Sequence, residues 1–134
     1  MIPTLKTGDY ILVRMVRFEP KRGDVVVFEP PDTYHGNKSQ LVDRIVAVGG
    51  DEVEVKSGAL LLNGIKQAET YISEPMRDDF ERFRVPDNQY FMMGDNRNDS
   101  FDSRYWFGVP RDNLKGRVMC VYWSKEVGRM GQTR

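Results

Sequence analysis

The side chains able to do chemistry are concentrated in one stretch, Gly94-Asp95-Asn96-Arg97-Asn98-Asp99-Ser100-Phe101-Asp102-Ser103-Arg104-Tyr105-Trp106. Carboxylates, guanidiniums, hydroxyls and amides alternate there with Phe101, Tyr105 and Trp106, directly after the apolar run Tyr90–Met93. Aromatics among Asp and Arg point to a folded loop whose charges pair at or below the surface. Such pairs need good geometry to offset the loss of hydration, and the planar arginine fork supplies two-point contacts. Metal chemistry has little to draw on. The chain has one cysteine, Cys120, and one histidine, His35, so multi-cysteine and zinc clusters are excluded, and no cofactor is expected.

The elements that must position this loop are short apolar runs: Ile11–Val13, Val25–Phe28, Leu41–Val42, Ile45–Val48, Leu60–Leu62, Tyr90–Met93 and Val118–Trp123. β-Branched and aromatic residues bounded by Gly, Pro, Asn and Asp read as strands, and Glu52–Val55 alternates strictly. Gly8-Asp9, Gly23-Asp24, Gly50-Asp51 and Gly94-Asp95 repeat one dipeptide. The first three read as turns beside strands. Ser57-Gly58 and Asn63-Gly64 flank Ala59–Leu62 and predict a small hairpin arm. Residues 29–40 read as an exposed loop. In the arm-and-linker region 56–84, the part from 66 onward allows at most a short helical turn.

The 134 residues make one domain, 1–134, with 40% hydrophobic residues, and 20 Lys plus Arg balance 20 Asp plus Glu. That balance argues against a nucleic-acid partner. No apolar run is long enough to span a bilayer. The fold class expected is all-β: a mainly antiparallel, partly closed barrel.

The 94–106 stretch resembles the most diagnostic box of type I signal peptidases, membrane-anchored serine endopeptidases that use a Ser/Lys dyad. The likeness runs in order along the chain. Met1–Leu5 with Gly8-Asp9 and Ile11–Val13 is similar to the box after the nucleophilic serine, and Lys21–Phe28 to the next strand. Leu41–Asp51 is similar to the box carrying the base, and Val109–Trp123 to the closing strand. The resemblance implies the partly closed barrel of that family, here without a large cap subdomain.

It also implies site roles. Ser100 matches a hydroxyl that orients the lysine amine; Asp102 and Arg104 match a supporting ion pair, and Asp95 and Arg97 brace the loop. Met1, Ile2, Leu5, Gln40, Leu41 and Val42 match the substrate-binding wall. The nucleophilic serine falls immediately before Met1, and the lysine falls on Asp43.

An aspartate has no ammonium hydrogens to give Ser100, carries the opposite charge, and is ordinarily a poor base for a hydroxyl, with a pKa of about 3.9. Lys38 and His35 are remote substitutes. Buried, Asp43 must find a cation, with Arg97, Arg104 and Lys38 as options, or stay protonated. The expected function is therefore a signal-peptidase-type domain, on the extracytoplasmic side of a membrane through an anchor outside this chain. It would meet signal-peptide-like segments of preproteins cleaved after Ala-X-Ala-like motifs, and be inactive as it stands. The alternative is a non-catalytic module that binds a peptide or protein partner, including an active paralogue, with methionines near Met76, Met92-Met93 and Met130 lining a surface, although Met92 and Met93 themselves read better as core. Trp106-Phe107-Gly108 reverses the family's Gly-Phe order, so the loop geometry there is expected to differ.

Overall fold

A computed structural model describes residues 1–37, 39–126 and 128–133. The apolar runs become strands: β1 (Tyr10–Arg14), β2 (Val25–Phe28), β3 (Leu41–Val48), β4 (Glu52–Lys56), β5 (Ala59–Leu62), β6 (Ile65–Lys66), β7 (Phe80–Arg84) and β8 (Gln89–Met93). One helical turn, α1 (Ser103–Trp106), precedes β9 (Val109–Pro110), β10 (Leu114–Trp123) and β11 (Gly131–Gln132).

The sheets overturn the expected barrel. Seven strands form an open sheet in the order β1-β10-β2-β3-β8-β9, with β11 also on β10; β6-β5-β4-β7 form a second, four-stranded sheet. Among the described residues no pairing joins β1 to β9 or β6 to β7, so neither sheet closes. The physical reason lies at the edges. β9 is two residues long and ends in Pro110, which has no N–H to donate to a further strand, and the turn-bounded β4–β7 segment makes its own sheet. The hairpin arm is therefore larger than expected. Ser57-Gly58 and Asn63-Gly64 both have positive φ at each residue, as tight two-residue hairpin turns require. β7 lies where only a helical turn was expected: in Phe80–Arg84 the two phenylalanines lean inward and three charged residues face solvent.

Alternation along the long strands divides the core. Val46, Ala47, Val53, Val55, Leu60, Leu62, Phe91 and Met93 pack the two sheets together. Val26, Phe28, Ile45, Met92 and Trp106 fill one face of the large sheet, and Val25, Val27 and Val118 pack separately with Met1, Leu5 and Val42. Met92 and Met93 fill the core, as their reading favoured; Met76 is buried as well, which leaves Met130 exposed. At about 25 cal/mol per Å² of apolar surface, such burial is the main stabilising term.

Candidate functional site

The site forms where β3 passes the loop that follows β8. Arg44 and Met93 are register partners, so the strand pairing itself brings Asp43-Arg44 beside Gly94-Asp95. Alternation puts Asp43 on the face of Leu41 and Ile45, and Arg44 on the face of Val42.

Arg44 is fully engaged. Its Nε and Nη2 donate to the two oxygens of Asp95 at 2.8 and 2.7 Å, its Nη1 donates to the Gly23 carbonyl at 2.9 Å, and Thr4 Oγ1 donates to Asp95. The pair is almost wholly buried, at 2% and 0% side-chain exposure. The Tyr71 ring covers the guanidinium, 4.0 Å from ring centre to Arg44 Cζ.

Arg97 makes a second two-point pair, donating to Glu69 at 2.8 and 2.7 Å and to the Gly94 carbonyl at 3.0 Å. The Tyr71 hydroxyl donates to Glu69 at 3.0 Å, and burial pushes its own pKa up to about 12. Residues 69–76 thus form a strap over the loop, fastened again by Asn98 Nδ2 donating to the Pro75 carbonyl at 2.9 Å.

Arg104 makes the third pair, donating through Nε and Nη2 to Asp102 at 2.8 Å each and through Nη2 to the Arg97 carbonyl at 2.7 Å. Asp102 caps α1 by accepting from the Arg104 N–H, and it accepts the Gly94 N–H at 3.1 Å. Ser103 Oγ accepts the Met92 N–H at 2.9 Å, which ties the helical turn to β8. Burial opposes Arg104's charge, but the Asp102 carboxylate outweighs it and raises the guanidinium's pKa.

Asp43 stands apart. It is 8% exposed, yet no hydrogen bond or ion pair reaches its carboxyl among the described residues. Burial pushes its pKa well above the carboxylate range; the neighbouring Asp102 and Asp95 add to the rise, while Arg104 opposes it. Arg97 and Arg104, the two arginines expected as partners, are committed to Glu69 and Asp102. Lys38 lies outside the described residues, and His35 is exposed on the 29–40 loop.

Gly94 shows what shares this corner. A Cβ there would overlap Ser100 Oγ, lie 2.9 Å from Ser100 Cβ and come within 3.3 Å of Asp43 Oδ1. Unlike Gly8, Gly23 and Gly50, it is not a positive-φ turn residue; it is glycine because two side chains crowd it. Ser100 also borders an open cleft of about 260 Å³ with Arg97, Asn98, Arg104 and Tyr105. A larger hollow, about 540 Å³ beside Lys21, Arg22, Val48 and Tyr90, lies at the far end of β3 and holds none of these groups.

The structure thus brings Asp43, Ser100, Asp95, Arg97, Asp102 and Arg104 together. Asp95 and Arg97 brace different things: the first holds Arg44, the second the strap. Of the expected substrate wall, Met1, Leu5 and Val42 pack in one cluster, Leu41 joins the Trp106 cluster, and Ile2 and Gln40 are exposed. Sequence reasoning missed Arg44, Thr4, Glu69 and Tyr71. Arg44, next to Asp43 inside an apolar run, was the one legible signal. Phe107 takes φ 64° and ψ −146°, a region that glycine prefers, which is the local consequence of the reversed Phe-Gly order.

Residues 1–123 match the family described as signal peptidase, peptidase S26. The chain is 38% identical to the probable signal peptidase I-2 of Synechocystis sp., across 98% of this chain and 62% of that protein. It is also 38% identical to the chloroplastic thylakoidal processing peptidase 1 of Arabidopsis thaliana, across 92% of this chain and 39% of that protein. A crystal structure of a signal peptidase I from Enterococcus faecalis superposes with a TM-score of 0.64 at 29% identity, covering 75% of this chain and 97% of that one. The chain therefore spans about two fifths to three fifths of those two curated relatives, and among its described residues no helix is long and apolar enough to cross a membrane. With four boxes in order, a matching fold and these identities, the chain belongs to the signal peptidase I family of serine endopeptidases.

Proposed function

We propose that this chain is a signal-peptidase-type domain that holds extended peptide segments of preproteins without cutting them, its base having been exchanged for a buried acid. The observation that carries this reading is Asp43: at the position matched to the lysine, 8% exposed, and without a cation of its own among the described residues. A lysine base starts neutral and becomes an ammonium as the hydroxyl attacks, so its new charge faces the developing oxyanion. An aspartate base starts as an anion and ends neutral, and beside Asp95 and Asp102 it offers that oxyanion no attraction.

Burial also favours the protonated carboxyl, and only the ionised form can take the proton from a hydroxyl. Asp102 and Arg104 keep the supporting pair that the resemblance gives them, while Ser100 has no lysine amine left to orient. On this reading the domain works at the extracytoplasmic face of a membrane through an anchor outside these residues, a position that membership of the family supports. Peptide held there would be extended and add as a strand, with backbone bonds for affinity and small pockets for choice. An active paralogue is the natural recipient of a peptide so held.

One observation favours a second reading. The rise in Asp43's pKa brings the carboxyl nearer the range where a general base works at neutral pH, so a serine placed beside it could be activated by the aspartate itself. One experiment separates the two. A serine is placed directly before Met1, and cleavage of a fluorogenic Ala-X-Ala peptide is compared between that chain and its Asp43→Lys variant. The proposal expects turnover only with lysine, higher by about 10²–10⁴-fold, the usual worth of a positioned acid–base group. Comparable turnover with aspartate, rising with pH, would overturn it in favour of the second reading.

A further inference from the structure

Residues 1–9 precede β1 and join neither sheet. Their own backbone bonds are local: the Leu5 N–H donates to the Met1 carbonyl and the Asp9 N–H to the Lys6 carbonyl, each at 3.0 Å. A segment without a strand ladder is placed by its side chains and by whatever grips its carbonyls. Yet this one supplies Met1 and Leu5 to the wall cluster, Thr4 as a donor to Asp95, and the Met1 sulfur as acceptor of the Asp95 N–H at 3.4 Å.

The grip comes from the other end of the chain. Arg129 donates to the Pro3 carbonyl at 3.1 Å, to the Thr4 carbonyl at 3.2 Å and to the Asp9 carboxylate at 2.8 Å. The tail is itself fixed beyond Arg129. β11 pairs with Cys120 and Val121 of β10, Thr133 Oγ1 donates to the Val118 carbonyl at 3.3 Å, and the Thr133 carbonyl accepts from Arg44 at 3.3 Å. A second tie, Lys6 to Glu126 at 2.9 Å, is open to water and contributes little. The Asp9 carboxylate, by contrast, is enclosed, and Arg129, with Ser124, holds its pKa down to about 2, so that pair stays charged across the neutral range.

We propose that the C-terminal tail is a clasp and Arg129 its positioning residue, fixing residues 1–5 against Asp95 and so setting the wall that a bound peptide meets. A guanidinium suits the task because its planar fork spreads donors to two carbonyls and a carboxylate, whereas an ammonium gathers its three hydrogens at one point. The step from wall to peptide rests on the peptide-holding reading above; the step from Arg129 to Asp95 rests on the contacts alone.

The test uses the whole chain and compares the parent with Arg129→Met and Arg129→Lys by NMR. Arg129 donates to neither Met1 nor Asp95, so displaced Met1 methyl and Asp95 amide signals in Arg129→Met, and smaller displacements in Arg129→Lys, are expected. An alanine-rich peptide containing Ala-X-Ala is then titrated into each. Arg129→Met should bind it about tenfold more weakly, the scale of a lost charged hydrogen bond, and Arg129→Lys should recover part of the loss. Val55→Ala, in the core between the two sheets, lowers stability elsewhere and should bind as the parent does. Shifts confined to residues 3, 4 and 9, which Arg129 itself touches, would overturn the clasp, as would equal weakening in Arg129→Met and Val55→Ala. Unchanged affinity in Arg129→Met would overturn it too and leave the peptide-holding reading standing. Displaced Met1 and Asp95 signals with no peptide bound by the parent would keep the clasp on residues 1–5 and remove that reading. If Arg129→Met does not fold, the same comparisons are made with Arg129→Lys.

Discussion

Asp43 and Arg44 are neighbours on one strand, both nearly excluded from water, and their two faces of β3 have opposite fates. On one face Arg44 meets a carboxylate two-point, a carbonyl, a hydroxyl's partner and a ring. On the other, Asp43 shares a corner with Gly94 and Ser100 and accepts no hydrogen bond among the described residues. The difference teaches what holds this site. The loop of residues 94–106 is kept by three carboxylate–guanidinium pairs whose desolvation is offset by ideal geometry and extra hydrogen bonds. The position where the family's base is expected is left outside that network. On the proposed reading, the fold keeps its frame while the group inside it changes sign.

The contrast breaks most visibly on the Arg44 face. Arg44→Met leaves Asp95 buried with only Thr4 as a donor, and urea unfolding should show a loss of about 3–5 kcal/mol. Gly94→Ala comes next. Its methyl would overlap Ser100 Oγ and must push the loop off β3, a cost of about 1–3 kcal/mol for overpacking, with Ser100 signals displaced in the NMR spectrum.

Tyr71→Phe keeps the ring over Arg44 and removes only the hydroxyl's bond to Glu69, a loss of about 1 kcal/mol. Asp43→Asn is smallest at low pH, because the amide copies the protonated acid. Asp43's pKa is raised on folding, so the native state holds its proton after the unfolded chain has released it. Its destabilising contribution is absent below about pH 4, the unfolded value, and grows as pH climbs toward the folded value. Stability of Asp43→Asn relative to the parent should therefore increase with pH across that window, read from urea midpoints at a series of pH values.

How much of this the sequence held depends on how local the cause is. Val25–Phe28 was legible to the residue because its apolar run is bounded by charge and turn residues, whereas β3 read as two runs, Leu41–Val42 and Ile45–Val48, parted by Asp43-Arg44. The Gly-Asp turns were legible too: Asp9, Asp24 and Asp51 each accept the N–H of the residue three earlier, the local bonding their side chains favour. Gly94-Asp95 has the same letters and a different job, because what surrounds it comes from β3 and the 94–106 loop. Sheet closure could not be read, since it turns on which edge strands fail to pair.

β7 was missed because Phe80–Arg84 is too charged to look like a strand until its phenylalanines find Phe91 and Phe107. The strap was missed for a like reason: Glu69 and Tyr71 are ordinary polar residues in sequence, and only contacts across 26 to 28 positions make them part of the site. The Asp102–Arg104 pair was the part of the network that the family resemblance implied.

The claim on which the rest depends is that Asp43 sits in the resting protein as a buried acid whose carboxyl pairs with no cation among the described residues. Carbon-13 NMR titration of the Asp43 carboxyl, in buffer free of amines and with Asp43→Asn to assign the signal, reads this directly. The account predicts ionisation well above the ordinary carboxylate range, with Gly94 and Ser100 amides shifting in step. A carboxyl that titrates at about 4 or below would mean that a cation or donor already serves it, and would contradict the account.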